Sequence, residues 1–489
     1  MKRGGSMEKI SIYGAGKRGA SLIRLMEEFQ WPIGHVIDNN SSLWGKKIGN
    51  CQIEPPQALL EEPGCRLCIT LGDTSAVVAV RDMLKQCYQF DPGREVSYYK
   101  LIMDLYDRVD LKTLTDMAET AVRDRITVLF DCEAGLGLGG IEEWTKGICG
   151  KFLEEGDYDA FILTDNGDYQ IPEELQGHLI RADIDGGHMF SLYNMKQMLS
   201  CIGKYLPCIL VTSQPDQTLL AGKILRELSG GKVKVISGIR GGFAEIDKSY
   251  IQMRNCTDLY VCVNSAIRQD MIQRGVSPDH IYTMLCPVEC PASLERNYSL
   301  KPDMPLQIGY AGRLEEDKRM DLMPALIEQL EERGIHYTLE FAGEGSYQEQ
   351  ISAFAAERGC SHRIKLPGKI DRQLIPAFWQ KKDICLNISD QEGRSRSTIE
   401  AMANGAVPIV TDTWGVRDDI VDGENGFIVQ TGDYKAMAEK ICFLDRNRER
   451  LLSMGRAAHE EMRQKCSMEE HYRFWQKMTE LVMRENRDR

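Results

Sequence analysis

The sequence has no uninterrupted apolar run of about 18 residues, the length a helix needs to cross a bilayer. It also lacks a charged, apolar, small-residue opening of the secretory kind. These two absences lead us to expect a chain that stays in the cytoplasm. Histidine is scarce, at eight residues. The single CxxC, Cys65 and Cys68, has no second pair at zinc spacing, so no metal site is expected. Basic residues are outnumbered, 60 against 73 acidic, for a net charge of −13. That balance argues against broad contact with nucleic acid and leaves room for a local basic cleft that holds phosphates. No fixed-period repeat or low-complexity tract is present.

What is present is ordinary globular composition, 43% hydrophobic and 27% charged over 489 residues, enough for about three domains at ~100–200 residues each. Sixteen cysteines are scattered. Many stand inside apolar runs, as in RLCITLG, LYVCVNS and DICLNIS, where a reduced thiol serves as a small hydrophobe. The opening MKRGGSMEKI carries Arg-Gly-Gly-Ser before a second Met, as a purine-rich ribosome-binding site would read if translated. Met7 is therefore the expected start.

Short apolar strands alternate with amphipathic helices from Ile10 onward, the pattern of a parallel α/β sheet. The first series (KISIYGAG, GHVIDNN, CRLCITLGD) closes near residue 100. A polar helical connector is expected over 101–124. A second series runs from RITVLFDC through DAFILTD, HLIRADI, CILVTSQ, KVKVISG, LYVCVNS and HIYTMLCPV, giving a domain over 125–297. A Pro-containing linker then leads into LQIGYAG, YTLEFAG, HRIKLPG, DICLNIS and AVPIVTD, a third domain over 298–465. The stretch 466–489 reads as a terminal helix. The expected architecture is α/β with three Rossmann-like domains, the last two facing each other across a cleft at the carboxyl ends of their strands.

The most informative stretch is DQEGRSRSTIEAMANGAVPIVTD. Glu392 and Glu400, with seven residues between them, flank a glycine-containing loop that runs into a helix. Their carboxylates suit sugar or ribose hydroxyls, and backbone NH groups at the helix start suit phosphate. Ser397 with Glu400 also has capping-box spacing, which would explain that Glu without a ligand. Both readings stay open on the sequence.

This stretch, with GVRDDIVDGENGFIV after it, resembles the donor-binding region of family 4 retaining glycosyltransferases, which have the two-domain GT-B fold. GYAGRLEEDKRMD resembles that family's strand-to-helix turn, implying that Arg313 and Lys318 bind the diphosphate of a nucleotide-sugar donor. LEFAGEGSYQEQI resembles its Gly-rich strand end. HRIKLPGKIDRQL resembles the segment whose backbone beside Lys369 and Ile370 reads the base. Gly139 and Gly140 in GLGLGGIEEW match a glycine pair that admits backbone close to the ligand, although a flexible turn explains them equally well. The resemblance casts Glu392, Arg313 and Lys318 as catalytic. It implies a donor site of Gly139, Gly140, Arg313, Lys318, Lys369, Ile370, Glu392, Gly393, Arg396, Ser397 and Glu400. Arg394 and Arg396 could meet donor phosphate, an anionic acceptor or water, with Arg396 the expected ligand.

One departure stands out. After the fifth strand of the middle domain that family often carries a His, whereas this chain reads VKVISGIRGG, with Arg240 the nearest polar residue. His188, in an earlier loop, reads as an ordinary loop residue. Near the start, YGAGKRGASL supplies GxGxxG through Gly14, Gly16 and Gly19, with Asp38 at the end of the next strand as a ribose partner. This region resembles the small Rossmann-like domains of sugar acyltransferases and other cell-surface sugar enzymes, implying a nucleotide, nucleotide-sugar or NAD-like ligand. A domain that keeps its glycines for the turn alone is the alternative.

The expectation is a glycosyltransferase that needs no metal or other cofactor. It would move a sugar from a nucleotide diphosphate donor, with retention, to a glycan or lipid-linked acceptor in bacterial surface-polysaccharide assembly. A lipid-linked acceptor would bring it into peripheral contact with the inner face of the membrane. The rival expectation, motivated by the missing His, is an inactive nucleotide-sugar sensor or partner subunit.

Overall fold

A computed structural model of the protein describes residues 8–484 apart from 63, 73, 115–122, 134, 138, 139, 214–216 and 241–248. The chain divides into two compact units. One comprises Met1–Gly238, Phe243–Tyr260 and Met478–Arg489, the other Ile239–Gly242 and Val261–Lys477.

Three sheets form, as the sequence implies. The first contains β1 (Ile10–Tyr13), β2 (Ile33–Ile37), β3 (Lys47–Ile48), β4 (Cys51–Glu54) and β5 (Arg66–Ile69), in the order β3-β4-β2-β1-β5. Every residue of β1 is buried, Ser11 included, as befits a strand covered on both faces. The β3–β4 pair is an antiparallel hairpin at the sheet edge. Its sequence, KKIGNCQIE, is too short and polar to read as strands.

The second sheet contains β6 (Thr127–Cys132), β7 (Asp159–Thr164), β8 (Leu179–Arg181), β9 (Cys208–Thr212), β10 (Val233–Ile239), β11 (Leu259–Cys262) and β12 (Ile281–Thr283). Their order is β12-β11-β10-β9-β6-β7-β8.

One boundary needs correction. The expected connector 101–124 begins inside a helix, Tyr98–Tyr106, which buries Leu101, Ile102 and Leu105. These side chains belong to one hydrophobic cluster that runs from Ile10 and Ile12 of the first sheet to Leu129 and Leu210 of the second. Tyr106 donates its hydroxyl to the Phe190 carbonyl at 2.6 Å, and Ser21 to the Met189 carbonyl at 2.7 Å. The helix is a packed element of the first unit, because its apolar face has cores on both sides to cover.

The second unit is built on β13 (Leu306–Ala311), β14 (Tyr337–Ala342), β15 (Ile364–Gly368), β16 (Ile384–Asn387), β17 (Val407–Thr411) and β18 (Phe427–Val429), in the order β15-β14-β13-β16-β17-β18. All these pairs are parallel. The order reverses between β13 and β16, and open parallel sheets bind ligands beyond the carboxyl ends of their strands at such a switch point. The segment after β13 carries Arg313 and Lys318, and the segment after β16 carries Glu392. The terminal helix spans Met468–Arg484, inside the expected 466–489. No disulfide joins any of the sixteen cysteines, all of which lie among the described residues, and Cys68 is fully buried in β5.

Candidate active site

At the switch point of the second unit, Lys318 and Glu392 meet: Lys318 Nζ donates to Glu392 Oε1 at 2.7 Å, with both side chains about four-fifths buried. The loop bearing Lys318 leaves β13 through Gly312 and is pinned at its start by the Tyr310 hydroxyl, which donates to the Arg313 carbonyl at 2.9 Å. Burial, reinforced by Glu392, pushes the Tyr310 hydroxyl well above the usual tyrosine range, so it remains a donor. Gly343, at the end of β14, is required by close approach: a Cβ there would lie 1.9 Å from the Gly312 carbonyl oxygen.

Arg313 lies apart from this pair. Its guanidinium is 65% exposed and bonds to Asp317 Oδ2 at 2.6 Å, an arrangement weak enough in water to be exchanged for a stronger anion. Arg319, which the sequence reading did not single out, bonds both Asp321 and Asp390. The next residue but one after Asp390 is Glu392.

Glu400 sits within the helix Arg396–Ala403, whose N-cap is Ser395, accepting from Thr398 N at 3.3 Å. Ser397 is therefore the second residue of the helix and not its cap, which overturns the capping-box explanation of Glu400. Instead Arg396 Nε donates to Glu400 Oε1 at 2.9 Å and Arg372 donates to the same oxygen. Ser397 turns its hydroxyl to that of Ser395 at 3.2 Å. Arg394 is not available to a ligand as placed: 2% exposed, it is paired bidentately with Asp419 and also donates to the Cys286 carbonyl at 2.6 Å. The Gly393 carbonyl accepts from Asn264 Nδ2. Lys369 is exposed, its backbone NH facing Glu344 Oε1 at 3.4 Å, and Ile370 packs beside Phe378 and Trp379.

Arg240 follows directly on β10. Within the second unit, burial and the positive charges of Arg240 and Arg394 hold His471 neutral, down to about 3. Trp475 Nε1 donates to its Nε2 at 3.1 Å. The sequence reading missed His471, because nothing local to the terminal helix links it to residue 240.

In the first unit, Gly140 opens the helix Gly140–Glu155 with no atom within 4 Å of a would-be Cβ. Gly139 lies outside the described residues. Just before it, at the switch point between β6 and β9, Asp131 is buried and Glu133 stands beside it half-buried. Thr218 donates to both, at 3.2 and 2.8 Å, and Thr212 donates to Asp131 at 3.1 Å. Burial is the main cause that raises both carboxyls, and Asp131 raises Glu133 further. His188 bonds Asp185, three residues earlier in its own loop.

In the first sheet, Gly14 has φ +102°, and a Cβ on Gly19 would stand 1.8 Å from the Gly14 carbonyl oxygen. Gly16 has nothing within 4 Å. The turn needs the first and third glycines, and the second faces open space. The Asp38 carboxylate accepts from Ala15 N at 2.7 Å and Asn40 N at 2.8 Å, closing the loop on itself. Beside it, at the switch point between β1 and β5, lies a cavity of about 60 Å³ lined by Arg18, Leu71, Tyr98 and Tyr99 among others, with Arg18 4.6 Å from the centre of the Tyr98 ring.

Residues 293–461 match the family model of glycosyl transferases group 1. Among curated proteins, the chain is 25% identical over 314 residues to a lipopolysaccharide 1,6-galactosyltransferase of Escherichia coli (strain K12), covering 63% of this chain and 85% of that one. It is 23% identical over 318 residues to the capsular polysaccharide biosynthesis glycosyltransferase CapM of Staphylococcus aureus, covering 60% and 81%. Among solved structures, a glycosyltransferase from Rickettsia africae superposes with a TM-score of 0.60 at 19% identity, over 74% of this chain and 99% of that one. Anabaena HepE in complex with UDP gives 0.57 at 15% identity, over 73% and 99%. The chain therefore has the fold of the GT-B glycosyltransferases, and its residues 293–461 match the group 1 family model.

Proposed function

We propose that the protein transfers a sugar, with retention at the anomeric carbon, from a nucleoside diphosphate donor to a glycan or lipid-linked acceptor in bacterial surface-polysaccharide synthesis. The observation that carries this reading is the pairing of Lys318 with Glu392 at the β13/β16 switch point. Lys318 and Arg313 bring positive charge to the diphosphate as the glycosidic bond breaks, which stabilises the leaving group. Glu392 accepts hydrogen bonds from the sugar hydroxyls. Before donor arrives Lys318 occupies Oε1 of Glu392, which leaves Oε2 as the first oxygen open to the sugar until Lys318 turns to the diphosphate. Arg372 and Arg396 likewise both hold Oε1 of Glu400, orienting Oε2 for a ribose hydroxyl.

Two cations in place of a metal make a metal-independent reaction the natural reading. UDP is the first nucleotide to test, since a structural neighbour was solved with it. The 125–297 domain takes the acceptor and the 298–465 domain the donor. The Gly14–Gly19 loop of the 1–100 domain, with its open Gly16, is a second nucleotide or nucleotide-sugar site.

The test is release of nucleoside diphosphate from a panel of UDP-, GDP- and ADP-sugars in EDTA, comparing wild type with Glu392→Gln and with Arg313→Ala plus Lys318→Ala. One donor is consumed by wild type, and turnover falls by about 10²-fold or more in both variants. Donors that bind without ever being consumed, with any acceptor extract, would instead make the protein a nucleotide-sugar sensor.

A further inference from the structure

Arg319 combines an unfavourable backbone with a fully committed side chain. Its φ of +54° and ψ of +37° place it in the left-handed region, which a residue with a Cβ adopts at a cost and glycine adopts freely. A left-handed non-glycine residue persists where its surroundings hold it, and such residues gather at functional sites. Here the side chain provides the reason. Nε and Nη2 of Arg319 donate to the two oxygens of Asp321 at 3.0 and 3.3 Å, and Nη1 donates to Asp390 Oδ2. Asp390 Oδ1 is enclosed and has no hydrogen-bond partner among the described residues.

All three guanidinium nitrogens are thus engaged with protein carboxylates, one cation between two anions. Although Arg319 is next to Lys318, this leaves it no surplus positive charge for a diphosphate. What it does is tie the segment after β13 to the segment after β16. Lys318 to Glu392 is a second tie between the same two segments, one residue away on one side and two on the other. The two ties differ in what a donor asks of them. Lys318 must turn to the diphosphate and Glu392 to the sugar, which weakens their mutual bond, whereas nothing in that event requires the Arg319–Asp390 bond to change.

We infer that Arg319, acting through Asp390, is a positioning residue for sugar transfer: it holds Glu392 at its station when Lys318 releases it to engage the donor. This inference rests on the roles proposed above for Lys318 and Glu392. An error of about 1 Å in such a group costs ~10²-fold in rate, so the tie matters for turnover more than for nucleotide binding, which does not use Glu392.

The experiment compares wild type, Arg319→Gly, Arg319→Lys, Asp390→Asn and the Arg319→Gly/Asp390→Asn double variant. It reads thermal unfolding, affinity for UDP (with GDP and ADP as alternates) by titration calorimetry, and kcat and KM for the consumed donor. Arg319→Gly relieves the backbone, so its unfolding midpoint stays at or above that of wild type. Its nucleotide Kd moves less than about threefold while kcat falls by at least about tenfold, the split expected when an interaction serves the transition state rather than binding. Arg319→Lys, retaining the charge, restores part of kcat. Asp390→Asn, nearly isosteric, shows the same split if Arg319→Gly folds poorly, and the double variant is no worse than the worse single one.

Wild-type kcat in Arg319→Gly and Asp390→Asn overturns the inference. So does a loss of kcat that travels, in both variants, with a tenfold loss of nucleotide affinity or a lowered midpoint, which would make Arg319 a phosphate ligand or a structural residue. Wild type that neither binds a nucleotide nor consumes a donor overturns the transferase reading itself, and the inference with it.

Discussion

Arg394 and Asp419 form a closed bidentate ion pair inside the second unit, Nε to Oδ2 at 2.8 Å and Nη2 to Oδ1 at 2.6 Å, with the side chains 2% and 5% exposed. Removing one member strands the other charge out of water. Arg394→Met is therefore expected to lower stability by ~3–5 kcal/mol, read as the shift in a urea or thermal unfolding curve. An unchanged curve would mean that Arg394 is solvated and open to ligands.

The Lys318–Glu392 pair is less enclosed, and its stabilising contribution should be correspondingly smaller. A double-mutant cycle on unfolding with Lys318→Met and Glu392→Gln is expected to give a coupling of ~1 kcal/mol or less. On the proposed function, the same two substitutions are expected to abolish most turnover. A large effect on activity with a small one on stability is what separates a site pair from a structural one.

Asp131 and Glu133 predict a pH dependence of defined sign. Their carboxyls titrate above the usual carboxylate range because desolvation disfavours both charged forms and Asp131 further disfavours that of Glu133. The folded state therefore holds a proton that the unfolded state has already released. That contribution is fully present below the unfolded values, ~3.9 for Asp and ~4.3 for Glu, and is lost as pH rises through the raised folded values. Glu133→Gln removes one titrating group. Its unfolding midpoint should gain on that of wild type as pH rises from mildly acidic to mildly alkaline. Parallel pH profiles for the two proteins would refute the shift.

Gly16 and Gly19 should respond in opposite ways to alanine. A methyl group at Gly19 would lie 1.8 Å from the Gly14 carbonyl oxygen, while one at Gly16 meets nothing. Gly19→Ala is expected to cost ~1–3 kcal/mol through forced backbone movement. Gly16→Ala should leave unfolding unchanged and remove any nucleotide-induced rise in melting temperature. If Gly16→Ala melts with and without nucleotide as wild type does, the loop is a structural turn.

Much of this was legible along the chain. Several strands buried on both faces stood out as continuous apolar runs, CILV of β9 and VPIV of β17 among them, because burial on two sides favours it. The placement of Lys318 and Glu392 beyond strand ends was legible too, each in a motif that follows a strand. The β3–β4 hairpin was not, since Lys47–Glu54 has no apolar period to read. Arg394 stood in the same loop as Arg396 and carried the same local signal, yet one is enclosed with Asp419 and the other lies near the surface of its helix with Glu400.

Sequence alone determined that three α/β series form and which residue types end their strands, because strand runs and turn glycines are set by local backbone geometry and by the need to bury apolar faces. Tertiary structure decided which charges meet. Lys318 reaches Glu392 across 74 residues, Arg319 reaches Asp390 across 71, and Arg394 reaches Asp419 across 25. Those partnerships depend on the strand order placing β16 between β13 and β17 and on the path of each loop beyond its strand. No periodicity encodes them, since an ion pair between distant segments requires complementary groups at two points and leaves the residues between them unconstrained.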